Sequence, residues 1–302
     1  MTKAFTYVAA AEVHLSSGNA NDILYANGQN QIAVTISFIV YDALYNRVLL
    51  TKEQIKECVF LGDYHLGTVL IPGSIDNGWS VSTTSGDFVT AGTSNSNLSA
   101  TEDYQSITYY VSCPQYTTFS RTLCAFLTPD NFETYVTSGL GSELDSGVTL
   151  TPLPPISYDY LDLSIARSDA SNGEYNGHTV DQDNYYVSNP SGTIKKSALE
   201  EGSSYNYYIM EKSSTEDYYQ MGFEVGPQST YNLVLDDRTS IPVVYNQRAG
   251  QLCLVRLIVS GSNSYNLHNN TCDMNIYDAY GNHGYLSFYA ADYGNRIDMT
   301  NA

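Results

Sequence analysis

The chain has 302 residues and a formal net charge of −19, from 32 acidic and 13 basic side chains. Such a charge is repelled by phosphate backbones and anionic membrane surfaces, so composition argues against nucleic acid as a partner. Only 15% of the residues are charged and 28 are tyrosines, and no stretch approaches the roughly 20 apolar residues of a membrane span. Solubility must therefore come largely from hydroxyl and amide side chains.

The first apolar stretch, residues 5–15, is too short and too interrupted for the core of a signal peptide. We expect it to form the first strand. We also expect synthesis in the cytoplasm without a recognisable signal peptide. Release, or display on an extracellular particle, would then need another route, such as phage lysis or an injection machine.

The clearest structural pattern in the chain runs from Gln31 to Tyr41, where large apolar residues occupy every second position and most of the others are polar. Successive side chains of an extended backbone point to opposite faces of a sheet, so this period of two predicts a half-buried strand. The predicted core face carries Ile32, Val34, Ile36, Phe38 and Val40.

The rest of the chain consists mostly of short strand-like segments separated by Gly, Asn and Asp, a pattern that predicts an all-β sandwich class. Only residues 51–56 and 129–136 look helical, each short and opened by a capping residue. Tyrosines often occur in pairs, as at Tyr185 and Tyr186. Because neighbours in a strand face opposite sides, we expect at least one ring of each pair to be exposed.

Three prolines within residues 152–155 mark the strongest boundary, because proline stiffens the backbone and removes amide donors that a sheet needs. We therefore predict an N-terminal sandwich over residues 1–151, a proline-rich junction over 152–156 and a C-terminal sandwich over 157–302. Within the second sandwich, residues 168–195 are polar and poor in aliphatic side chains. They predict a long irregular surface excursion.

The five cysteines have no CxxC spacing, which excludes the usual zinc and redox motifs. Cys113 with Cys124, and Cys253 with Cys272, have spacings that a hairpin disulfide would allow. We favour the alternative, in which every cysteine is a small buried apolar residue.

Two turn-like segments carry a family resemblance. Residues 27–36, running into residues 40–48, and the run Tyr277–Asn282 resemble the second strand and following turn of bacterial immunoglobulin-like domains of the invasin type. The first copy departs from that cadence by carrying Tyr45 where glycine is usual, whereas the second retains Gly281. The resemblance implies two immunoglobulin-like antiparallel sandwiches used for display, adhesion or assembly rather than for catalysis.

No motif in the sequence specifies a reaction: the five histidines show no ligand spacing, and there is no nucleophile elbow or phosphate loop. The strongest candidate site is acidic, because carboxylate and amide oxygens are the ligands that calcium prefers. Its members lie in the polar segment: Asp169, Asn172, Glu174, Asp181 and Asp183. No other cofactor is expected. An ordinary solvated loop is the alternative for these residues.

Trp79, in an apparent Asn-Gly turn, is the candidate ligand-binding aromatic, since an exposed ring can stack on a sugar. The alternative is a ring folded over the edge of the sandwich. We expect a non-enzymatic protein that self-associates, or that decorates a larger bacterial or phage assembly through Tyr-, Asn-, Ser- and Thr-rich surfaces. The second hypothesis is a binding module, such as an adhesin, lectin or toxin component, that recognises a cell-surface glycan or protein.

Overall fold

The computed structural model describes residues 5–90, 104–129, 134–139, 144–190, 192–200, 208–212 (backbone only), 216–235, 239–260, 271–292 and 294–302. The chain divides into two compact units, Met1–Ile156 and Ser157–Ala302. Strands are the predominant regular element in the described parts of both units, which confirms the all-β class. None of the described helices is long and apolar enough to cross a membrane.

Unit 1 contains two sheets with strand orders β1-β3-β8-β6-β5 and β10-β9-β11-β2, while β7 pairs with β3 and β4 with β9. Two of these pairings, β11 with β2 and β3 with β7, are parallel. The other pairings in this unit are antiparallel, as expected. The elements are β1 Tyr7–Leu15, β2 Asn21–Tyr25, β3 Asn30–Tyr41, α1 Lys52–Cys58, β4 Val59–Asp63, β5 Ile75–Asp76, β6 Trp79–Ser82, β7 Phe88–Thr90, β8 Gln105–Ser112, β9 Arg121–Leu127, β10 Tyr135–Val136 and β11 Val148–Leu153.

Strand β3 is the centre of the core of unit 1. Its burial alternates over all twelve residues, and the five apolar residues predicted for its core face are each at most 1% exposed. It pairs with β1 on one side and with β8 on the other, so both of its edges are satisfied. The alternation prediction is confirmed here.

Helix α1 begins where its capping residue predicts. The Thr51 side chain accepts from the Gln54 amide, and the Gln54 side chain accepts from the Thr51 amide, which forms a capping box. The second predicted helix is wrong at its C-terminal end, because Tyr135 and Val136 pair with β9 as strand β10. Residues 130–133 lie outside the described residues.

The proline junction begins later than predicted, because Pro152 belongs to strand β11. Beyond Leu150, β11 pairs only with β2. The Thr149 amide donates to the Ala20 carbonyl on the β2 side of β11. Successive backbone nitrogens of a strand point to opposite sides, so the nitrogen of Pro152 points away from β2, toward the edge that has no partner there among the described strands. A proline at that position removes no hydrogen bond from the sheet.

Unit 2 has three layers. A five-stranded sheet, β12-β13-β19-β16-β15, has a four-stranded sheet, β14-β20-β21-β22, over one face and the pair β17-β18 over the other. A 3₁₀ turn, Tyr160–Asp162, precedes the first strand. The strands are β12 Ser164–Tyr175, β13 His178–Ser188, β14 Ile194–Leu199, β15 Tyr208–Lys212, β16 Glu216–Phe223, β17 Ser229–Val234, β18 Ser240–Tyr245, β19 Leu252–Ser260, β20 Cys272–Asp278, β21 His283–Ala291 and β22 Arg296–Asn301.

The polar segment 168–195 is not an irregular excursion, and that prediction is wrong. Most of it forms the hairpin β12–β13, which turns at Asn176 and Gly177, both with positive φ. Strand β13 also pairs with β19 and is buried on both faces. For the same reason Tyr185 and Tyr186 are both buried, contrary to the expectation for paired tyrosines.

The two turns that resemble each other in sequence have the same hydrogen bonds. Asp42 Oδ1 accepts from the amides of Leu44 and Asn46, and Asp278 Oδ1 accepts from the corresponding amides of Tyr280 and Asn282. Tyr45 adopts a φ of 60° at the position where Gly281 has 76°. The shared local geometry accounts for the sequence similarity of the two turns. The immunoglobulin-like topology stays a prediction.

Candidate functional site

The hairpin β12–β13 brings most of the predicted acidic residues together. Asp169 lies opposite Asp183, and Asn172 lies opposite Asp181. Asp169 and Asn172 are three residues apart, and in a regular strand their side chains would lie on opposite faces. A bulge between the two pairs shifts the alternation, so all four side chains lie on one face of the sheet. Carboxylate oxygens of Asp169, Asp181 and Asp183 lie within 4.8 Å of one another. Glu174, opposite Thr179 nearer the turn, is not part of this group.

Two arginines complete the cluster. Arg256, on the neighbouring strand β19, lies directly opposite Asp183. Its Nη2 forms ion pairs with Asp183 Oδ2 and, at 2.8 Å, with Asp181 Oδ2. Arg167 Nε lies 2.8 Å from the other oxygen of Asp183. The fully buried carboxylate of Asp183 is therefore shared between two guanidinium groups.

Sequence reasoning did not assign a role to either arginine. The available signal was Arg256 itself, the only charged residue in the apolar run from Leu252 to Val259. A charge in a strand buried on both faces needs a partner of opposite sign. The pattern did not say which acid would supply it, because that depends on strand order.

Calcium fits this donor set poorly. Three carboxylates face two guanidinium groups, and both oxygens of Asp183 already contact an arginine. A cation would have to compete with both arginines for the same oxygens, and they would repel it. The cluster is better explained as an ion-pair network that neutralises buried charge, and calcium binding there remains a proposal.

An open groove of ≈ 560 Å³ lies beside the cluster. Arg256 reaches its rim by donating from Nη1 to the Oδ1 of Asn295, at 3.2 Å. Arg296 binds Asp298 through Nε and Nη2, at 2.8 and 2.7 Å. The lining therefore mixes charge of both signs with apolar side chains: Ile165, Arg167, Asp181, Tyr185, Arg256, Ile258, Asp292, Asn295, Arg296, Ile297 and Asp298.

Trp79 is not available as a ligand-binding ring. It begins strand β6, is only 3% exposed and belongs to the hydrophobic core of unit 1. Gly78, with a positive φ, makes the tight turn that points the indole inward. The prediction of an exposed stacking platform at this position is wrong.

A second ion-pair network lies in unit 1, and three exposed apolar residues lie close to its members in the sequence. Arg121 binds Asp63 through Nε at 3.0 Å and also pairs with Asp76. Three large apolar residues lie within three positions of these residues in the chain, and they are 54–77% exposed. We call them the apolar rim: Leu66, Ile75 and Phe119.

The cysteines show no activation. All five are buried and free, as predicted. Burial raises the pKa of Cys124 to about 12 and that of Cys253 to about 11. A nucleophilic or metal-binding cysteine needs the opposite shift, because the thiolate is the reactive form.

No protein-family model matches the sequence, and no curated protein matches it.

Proposed function

We propose that this is a non-enzymatic assembly protein that self-associates or decorates a larger bacterial or phage structure. One observation carries the proposal. The apolar rim exposes three large apolar side chains, each within three residues of Asp63, Asp76 or Arg121 in the sequence, and the ion pairs of Arg121 bring these three chain segments together. Exposed apolar groups that lie together on an ordered surface are typical of protein interfaces.

Rigid loops strengthen this argument. Asp63 Oδ1 accepts from the amides of His65 and Leu66, and Arg121 Nη1 donates to the Asp76 carbonyl. The guanidinium group of Arg121 therefore fixes both Asp63, which Leu66 follows in the chain, and Asp76, which Ile75 precedes. A preorganised surface loses less conformational entropy on binding than a mobile one.

The chemistry of the polar cluster favours a non-catalytic role. The carboxylates of Asp181 and Asp183 contact guanidinium groups on the oxygens that a substrate would have to reach. Burial raises the pKa of the thiols of Cys124 and Cys253, which lowers their fraction of reactive thiolate. These features support a structural function for the ionisable groups within the described residues.

The test is the assembly state of the purified chain over a concentration series, by analytical ultracentrifugation and negative-stain electron microscopy. We expect the wild type to associate reversibly into species larger than a dimer, and the variant Leu66→Ser, Ile75→Thr, Phe119→Ser to lose these larger species. The control is Leu44→Ser, Leu49→Ser, which removes equally exposed apolar residues outside the rim and should associate normally. A wild type that stays monomeric at every concentration contradicts the proposal.

A second candidate, a module that recognises an acidic glycan, is favoured by the groove in unit 2. Arg167 lines the groove, and the ion pair that it forms with Asp183 uses its Nε. A carboxylated sugar would match that guanidinium. Array binding to sialylated or uronylated glycans that Arg167→Gln abolishes would support this candidate, and an array without signal would count against it.

A further inference from the structure

Strand β12 is an edge strand of its sheet among the strands that the structure describes. It is twelve residues long and pairs only with β13 among the described strands. No described backbone group outside β13 bonds to residues 164–175. About half of the amide and carbonyl groups of an edge strand point away from its partner, so this edge can accept another strand.

The bulge in β12 makes the strand self-complementary. Arg167 and Asp169 lie on the same face as Asn172 and Glu174, because one extra residue between Asp169 and Ser171 shifts the alternation. Consider an antiparallel pairing about a two-fold axis between Ala170 and Ser171. In this pairing, each residue of β12 lies opposite a residue of the second copy whose side chain is on the same face of the sheet.

In that register the charges match. Arg167 lies opposite Glu174 of the second copy, and the two-fold axis repeats the pair. Both side chains are exposed, and in the described part of the chain Glu174 has no ion-pair partner of its own. Asp169 similarly lies opposite Asn172, so a carboxylate meets an amide donor.

The other face matches in shape. The exposed Ala166 lies opposite Tyr175, so a small side chain meets a large one. The Tyr175 ring already lies across Gly173, where an added Cβ would be 3.2 Å from it. The small side chain leaves room for the ring on this face, so the pair causes no steric conflict at the seam.

Alternative registers are disfavoured. A slip by one residue would set every side chain against the wrong face. A slip by two residues toward the turn would place Glu174 opposite Asp169, and these like charges would repel. A charged, bulged edge normally prevents pairing, but here it selects one partner strand.

We propose that β12 is an isologous interface at which a second copy of this chain extends the five-stranded sheet of unit 2 into one continuous sheet. This inference rests on the proposed self-association and assigns it a surface. It does not depend on the apolar rim, which belongs to unit 1.

The experiment uses introduced cysteines in the full-length chain, because all native cysteines are buried. Ser171 lies beside the axis, so Ser171→Cys should give a disulfide-linked dimer under mild oxidation. Ser164→Cys is the matched control on the same strand. Its two copies would be 13 residue positions apart, about 43 Å at roughly 3.3 Å per residue, and should not cross-link.

A charge reversal tests the register independently. Glu174→Arg replaces two attractive pairs by two repulsive ones and should raise the dimer dissociation constant by about tenfold or more. Glu57→Arg makes the same charge change at an exposed site in α1 of unit 1 and should leave the constant unchanged. Circular dichroism checks that both variants fold.

The outcomes separate this inference from the proposed function. Cross-linking at position 171 but not 164, with weakening by Glu174→Arg, supports the β12 interface. Association that continues while Ser171→Cys fails to cross-link and Glu174→Arg has no effect overturns the interface, and self-association itself survives. A chain that never associates overturns both.

Discussion

Four consecutive polar residues, 181–184, show that a polar side chain does not by itself indicate a loop. Gln182, Asp183 and Asn184 are each at most 1% exposed, and each has partners. Gln182 and Asn184 donate to the Val244 carbonyl on one face of the sheet, and Asp183 meets two arginines on the other. Burial of these groups is tolerated because the two amides donate hydrogen bonds and the charge of Asp183 is offset by ion pairs.

Removing one member of the buried network should be costly. We expect Arg256→Met to lower the free energy of unfolding of unit 2 by about 3–5 kcal/mol, because Asp183 would keep its buried charge with one guanidinium fewer. Urea denaturation measures the change. The control Arg296→Gln removes an exposed ion pair and should have little effect, and equal effects of the two variants would contradict the network.

The thiols should be inert in the native protein. At pH 8 a thiol-specific disulfide reagent should label none of the five cysteines within minutes, because all are buried and the pKa values of Cys124 and Cys253 are raised to about 12 and 11. Labelling of all five should follow unfolding in guanidinium chloride. Fast native labelling, monitored by absorbance, would show that a thiol is accessible.

At the level of single elements, turn chemistry decides how the polar segment folds. The dipeptide Asn176–Gly177 takes φ values of 48° and 84°, the left-handed geometry of a tight hairpin turn. This turn brings β12 back along β13 and so brings Asp169 to Asp183. The Asn-Gly pair was a usable hairpin signal, but polar flanking residues hid the strands.

Gly177→Ala should destabilise the hairpin by about 1–2 kcal/mol, because an L-residue at this φ is strained. Space is not the cause, since an added Cβ would meet nothing within 4 Å. Gly192→Ala is the matched control, because its surroundings are equally open and its φ lies outside the left-handed region. Chemical denaturation of both variants should separate strain from crowding, and equal stabilities would contradict the turn assignment.

At the level of the whole molecule, each unit has its own core. One apolar cluster fills unit 1, and two clusters lie on opposite faces of the central sheet in unit 2. An isologous β12 contact closes after two copies, so a larger assembly needs a different second contact. The apolar rim of unit 1 supplies a surface of that kind.

Residues 1–156 and 157–302, expressed separately, should each fold with a cooperative thermal transition. Calorimetry of the two fragments and of the full chain measures this. A fragment with native-like strand content by circular dichroism but no cooperative transition would show that its core needs the other unit.

The sequence by itself determined the all-β class, the core face of β3, the capped start of α1 and the burial of the cysteines. Each follows from local spacing or from the physical character of one residue type. Sequence could also place acidic residues near one another in segment 168–195. It could not show that they lie in strands.

Only the tertiary structure decided that β13 is buried between two layers and that Arg256 lies beside Asp183. Residues 183 and 256 are far apart in sequence, and strand order alone makes them neighbours. Alternation reports which face a side chain occupies, but it does not report what covers that face. For the same reason, the sequence suggested a calcium loop where folding places two arginines against the carboxylates.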